Sequence, residues 1–150
     1  MRTFNGLDEL GAAVGEQLGQ SGWHEITQEQ VNLFAEATGD HQWIHVDPER
    51  AKGGPFGRTI AHGYLTLSLL PVLVAEIYRV EGVSMGLNYG TNKVRFPAPV
   101  PVGSKVRASA QLVELSPIAI GTQAVVRVTI EIEGGSKPAC VADVAWVYVQ

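Results

Sequence analysis

The chain of 150 residues has one cysteine, Cys140, so no disulfide can form within it. Cys140 sits in an apolar run, which marks it as a small buried hydrophobe and not a nucleophile. A basic excess is also missing. Eleven Lys and Arg against fifteen Asp and Glu leave a net charge of −4, which argues against a protein built mainly to bind nucleic acid. No run is apolar enough for a membrane span: Ile60 to Ile77 is interrupted by His62, Thr66, Ser68, Pro71 and Glu76, and reads as a buried helix. The opening Met-Arg-Thr-Phe-Asn-Gly turns acidic without a signal-peptide core, so a cytoplasmic protein without membrane insertion is expected. The glycines at 53, 54 and 57 form neither a dinucleotide fingerprint nor a P-loop, and imply no nucleotide cofactor. Repeats, low-complexity tracts and linkers are absent.

What is present is a globular composition, 45% hydrophobic and 17% charged, in a length that suits one domain over residues 1–150. Asn5 is placed to cap a short amphipathic helix in which Leu7, Leu10, Val14 and Leu18 share a face, although Gly11 and Gly15 weaken it. Thr27-Gln28-Glu29-Gln30 has the form of a capping box, Val31, Phe34 and Ala35 follow at helical spacing, and Gly39 is placed to end that helix. A loop then runs from Asp40 to about Thr59. Ile60 to Val80 is the longest predicted helix, with Pro71 kinking it or starting a second segment. The second half changes period. Ala124, Val126, Val128, Ile130 and Ile132 alternate with polar residues, as do Val106, Ala108, Ala110 and Leu112, while Cys140 to Val149 is apolar on both faces. Gly134-Gly135-Ser136 marks a turn between strands. Helices followed by three or four long strands predict an α+β domain with an antiparallel sheet, in outline a hot-dog fold wrapped around one apolar helix.

Chemistry concentrates where the Gly39-terminated helix stops. Asp40 and His45 put a carboxylate and an imidazole five residues apart, a pair able to hold one water and move its protons near neutral pH. That is equipment for adding or removing water, or for hydrolysis. The plainer readings are a turn-capping Asp40 and a buried, hydrogen-bonded His45. His41 and His45 lie four apart, but Gly39 and Trp43 interrupt the continuous helix on which that spacing binds a metal, so no metal is expected.

The stretch Phe34, Gly39-Asp40, Ile44-His45 and Ala51 resembles the signature of the MaoC-like (R)-specific enoyl-CoA hydratases. Ile60-Ala61-His62-Gly63-Tyr64 looks like the family's next block, and Asn92 to Val100 like its strand and proline-rich bend. Two positions depart from the pattern: Gln42 and Trp43 stand where the family has Asn-Pro. The resemblance implies a single hot-dog domain that pairs into a homodimer, and a coenzyme A thioester as substrate with no cofactor. It implies His45 as base, Asp40 as the water-orienting partner, and the Gly63 backbone N–H as oxyanion donor. The same N–H lies at the predicted start of the apolar helix, where amides are unpaired.

Candidate substrate-binding residues are Trp43, at the site loop, and His62, shaping the oxyanion loop. Lys93 and Arg95, on one strand face, could meet coenzyme A phosphates, as could Arg50, Lys52 and Arg58; a solvated face is the commoner role for such groups. The leading expectation is reversible syn hydration of trans-2-enoyl-CoA to the (3R)-hydroxyacyl-CoA. The alternatives are the same chemistry run as a 3-hydroxyacyl-thioester dehydratase of fatty-acid synthesis or elongation, an acyl thioesterase, and a non-catalytic acyl-thioester binding subunit.

Overall fold

The computed structural model describes all residues, 1–150. Its elements in chain order are β1 (Arg2–Phe4), α1 (Leu7–Ala12), β2 (Gln17–Gln20), β3 (His24–Glu25), α2 (Gln28–Thr38), α3 (Trp43–Val46) and α4 (Pro48–Lys52). They continue with α5 (Gly63–Ser68), α6 (Leu70–Ala75), β4 (Tyr78–Val80), β5 (Met85–Arg95), β6 (Lys105–Ile118), β7 (Gly121–Ile132) and β8 (Cys140–Val149).

The long strands form an antiparallel sheet in the order β2-β6-β7-β8-β5, with β3 also on β6. A separate parallel pair joins β1 to β4. The alternation read from sequence is the alternation of the sheet. Ala124, Val126, Val128 and Ile130 of β7 are fully buried, and their partners on β6 are Leu115, Leu112, Ala110 and Ala108. This face packs on α5 and α6, whose Leu65, Leu70, Leu73 and Val74 belong to the same apolar cluster. The chain therefore has the α+β hot-dog arrangement, a sheet wrapped around a central apolar helical segment.

Several local expectations change. Gly6, not Asn5, is the N-cap of α1, which stops at Ala12, so Val14 lies beyond it and Leu18 lies in β2. The capping box is half formed: the Gln30 N–H donates to Thr27 Oγ1 at 3.1 Å, but no return bond from the Gln30 side chain accompanies it. The loop after Gly39 contains α3 and α4, the second opened by Asp47, whose carboxylate accepts from the Arg50 N–H. Ile60 to Val80 is not one helix. Pro71 has no N–H to bond back to Leu67 and crowds that carbonyl, so the helix breaks at Leu69 and restarts as α6. The last residues of the span pair as β4. No helix is long and apolar enough to cross a membrane. Cys140 is fully buried, and burial pushes its thiol up to about 11.

Candidate active site

The site is made where two loops are stitched together. Helix α2 ends as expected, with Gly39 in the left-handed region (φ 83°) and its N–H on the Ala35 carbonyl. The turn delivers Asp40 to the surface, where Oδ1 accepts from the Gln42 N–H at 3.3 Å. Helix α3 follows at once and buries His45 to 6% exposure. The facing segment, residues 59–62, is buried throughout. Ile60 N–H donates to the Ile44 carbonyl at 3.0 Å, and His45 Nδ1–H donates to the Ile60 carbonyl at 2.7 Å.

That last bond decides the chemistry of His45. A carbonyl can only accept, so the proton sits on Nδ1 and the lone pair is left on Nε2. Burial holds His45 below its ordinary value, with His62 adding to the effect and the Ile60 carbonyl and Asp40 opposing it. His45 is thus a neutral base near pH 7. An Asp40 carboxylate oxygen and one ring nitrogen each of His45 and His62 lie within 4.8 Å of one another. A water bonded to two such groups spans up to roughly 5.6 Å, so one water fits between carboxylate and imidazole.

His62 joins the pair more closely than an oxyanion-loop residue needs to. Its Nε2–H donates to the Asp40 backbone carbonyl at 2.9 Å, and its ring stacks on His45 with centroids 3.9 Å apart and planes inclined by 23°. Phe34 packs against it at 4.9 Å. Its Nδ1 is buried with no partner. The trio does not suit a shared metal. An imidazole binds an ion along the lone pair in its own plane, and two rings stacked face to face, with planes only 23° apart, aim their lone pairs side by side and not at one point. His41 points elsewhere, to Glu36 at 2.8 Å, which raises its pKa, and His24 pairs with Glu76 at 2.5 Å.

Gly63 is the first residue of α5, so its N–H has no intrahelical acceptor. A Cβ at this position would stand 3.2 Å from the Phe96 ring, which comes from just past β5 and meets Tyr64 edge-on. Trp43 lies beneath the Arg50 guanidinium, 4.3 Å from its ring centroid, and against Gly54. Lys93 and Arg95 are exposed on β5, opposite Asp143 and Val141. Lys93 helps hold Asp143 below the usual carboxylate range, second to Arg127, so it belongs to a surface charge group. The fold thus gathers Asp40, His45, His62 and Gly63, and leaves Lys93 on the sheet.

Sequence reasoning missed Gln28 and Thr59. Gln28 Nε2 donates to the His45 carbonyl at 2.7 Å, and Gln28 Oε1 accepts from Thr59 Oγ1 at 2.6 Å. Gln28 stood in a recognised helix start, but nothing in the sequence shows that its side chain turns to residues 17 and 31 positions away. Phe96 was read as part of a strand motif; its contact with Gly63 is equally non-local.

A hot-dog sheet around a split central helix, with a carboxylate and a neutral imidazole within reach of one water, suits a hydro-lyase. The chain belongs to the MaoC-like domain family, whose model matches residues 9–135. It is 63% identical over 150 residues to the 3-hydroxyacyl-thioester dehydratase Z of Mycobacterium tuberculosis, covering 99% of both chains. It is 43% identical over 149 residues to nodulation protein N of Rhizobium leguminosarum bv. viciae, covering 95% of this chain and 89% of that one. Among solved structures it resembles the (R)-hydratase from A. caviae involved in PHA biosynthesis, with TM-score 0.73 and 25% identity over 89% of this chain and 95% of that one. The dehydratase relative shifts the balance from hydration, placed first on the sequence, toward the dehydratase reading kept as its alternative.

Proposed function

We propose that this protein is a 3-hydroxyacyl-thioester dehydratase that interconverts a (3R)-3-hydroxyacyl thioester with the trans-2-enoyl thioester and water, and that coenzyme A thioesters are among its substrates. The observation that carries the reading is the Nδ1–H bond of His45 to the Ile60 carbonyl, which leaves Nε2 as the lone-pair nitrogen of a ring that lies within 4.8 Å of the Asp40 carboxylate. Dehydration removes a proton from C2 and hydroxide from C3, and these leave together as water. In the reverse direction Nε2 takes a proton from water as its oxygen bonds to C3, Asp40 holds the water's second hydrogen, and C2 receives a proton from the same unit. Syn stereochemistry follows from one water and one pair of groups acting on a single face of the double bond. The charge that builds on the thioester oxygen is met by the Gly63 N–H. Acid–base chemistry completes the reaction without a redox or metal step.

The test is loss of the conjugated-enoyl absorbance when protein meets crotonyl-CoA and a longer trans-2-enoyl-CoA, with chiral analysis of the product. Asp40→Asn and His45→Gln should each lower kcat by about a hundredfold to ten-thousandfold. Free thiol released at a comparable rate, or binding without turnover, would move the reading to a thioesterase or a binding subunit.

The proposal includes a homodimer. β5 is the last strand of the sheet and is exposed almost throughout, with Met85, Leu87 and Tyr89 at 51%, 39% and 57%. Such an edge offers a second copy unpaired backbone groups and apolar side chains. A fully active species with the mass of one chain in analytical ultracentrifugation refutes it.

A further inference from the structure

We infer that Gln28 and Thr59 are a positioning pair that locks the base, His45, in its reactive tautomer, an inference that rests on the dehydratase reading above. The side-chain amide of Gln28 has every polar atom engaged. Its two N–H groups donate to the His45 carbonyl at 2.7 Å and to Asn32 Oδ1 at 2.9 Å, and its oxygen accepts from Thr59 at 2.6 Å. Thr59 is 4% exposed, so its hydroxyl has little access to water as an alternative. The residue after Thr59 is Ile60, whose carbonyl accepts from His45 Nδ1.

One amide therefore grips the backbone of His45 on one side and, on the other, the segment that carries the ring's own acceptor. Together with the Ile60 N–H bond to the Ile44 carbonyl, the grip fixes the separation between the His45 backbone and the Ile60 carbonyl, and that separation decides whether Nδ1–H finds its acceptor. If Ile60 drifts, the imidazole loses its reason to keep the proton on Nδ1, and the share of rings with a lone pair on Nε2 falls. Neither Gln28 nor Thr59 needs to touch the substrate for this. The direction of the amide is also determined. Turned over, its oxygen would face the His45 carbonyl, which can only accept, and that contact would repel.

Thr59→Val removes the hydroxyl at nearly constant shape, Thr59→Ser restores it, and Gln28→Met keeps chain length without any polar atom. Thr59→Val and Gln28→Met should lower kcat by about tenfold with KM within about twofold, and Thr59→Ser should keep at least about half of kcat. The deciding readout is ¹⁵N NMR of the His45 imidazole, assigned by its loss in His45→Gln. The unsubstituted protein should show Nδ1 protonated and Nε2 bare, and the Val and Met variants a tautomer mixture. A wild-type tautomer with kcat within twofold in both variants overturns the inference. So does a loss confined to KM, or one that is equal in the Ser and Val variants. If the unsubstituted protein shows no dehydratase turnover, the function proposed above fails, and the NMR still decides whether the pair sets the tautomer.

Discussion

Gly63→Ala separates the oxyanion role of this residue from its packing. The added methyl would stand 3.2 Å from two atoms of the Phe96 ring and 3.3 Å from a third, closer than ordinary contact by a few tenths of an ångström. Phe96 is 41% exposed, so its ring can tilt away, and the fold should lose less than about 1 kcal/mol. The catalytic cost is larger. In a helix the Cα–Cβ bond leans toward the N-terminus, the same end at which the Gly63 N–H is free, so the methyl crowds the approach of a thioester oxygen. A weakened single donor should lower kcat by about tenfold to a hundredfold, which corresponds to roughly 1.4–2.7 kcal/mol. The assay pairs enoyl-CoA turnover with thermal unfolding of the same preparation. Adding Phe96→Ala to Gly63→Ala should relieve the packing strain and leave most of the turnover deficit. Turnover within threefold of the unsubstituted protein would place the oxyanion donor elsewhere. A large stability loss would show that Phe96 does not yield.

Other outcomes follow from the same geometry. Because burial lowers the pKa of His45, its neutral form persists below the ordinary value of 6.5, and the acid limb of hydration kcat/KM should fall at a pH below 6.5. The stability sign agrees. Unfolded His45 protonates first as pH drops through 6.5, so the native state loses stability from there down to the lowered native value, a loss that His45→Gln should diminish in denaturant titrations. Gly121→Ala should destabilise the fold by about 2–4 kcal/mol in thermal or denaturant unfolding. Its Cβ would meet the Tyr148 carbonyl oxygen at 2.3 Å, and that backbone is pinned between β7 and β5; a loss below 1 kcal/mol refutes the account.

The sheet was legible because its inner face is uniformly buried: a period of two from Ala124 to Ile130 has only one reading when every second residue is fully enclosed. The helical half was less so. Leu65 to Val74 is apolar on many sides, a pattern that fits one long helix or two short ones, and the break at Leu69 depends on backbone geometry around Pro71. α3 and α4 have four and five residues, too few for a helical period to show; Ile60 and Gln28 hold the first of them through Ile44 and His45. At the site, Asp40, His45 and Gly63 stood out as candidates from spacing and motif. The stacking of His62 on His45 and the turn of Gln28 toward Thr59 were not, since each joins residues well apart in sequence and neither leaves a local signature.

The groups proposed to react and the pair proposed to steady them all lie between residues 28 and 63, whereas the long strands begin at Met85. The two halves of the chain therefore have different mutational freedom. Changes in the later strands leave untouched the residues proposed to move protons, because those residues sit together on one short stretch.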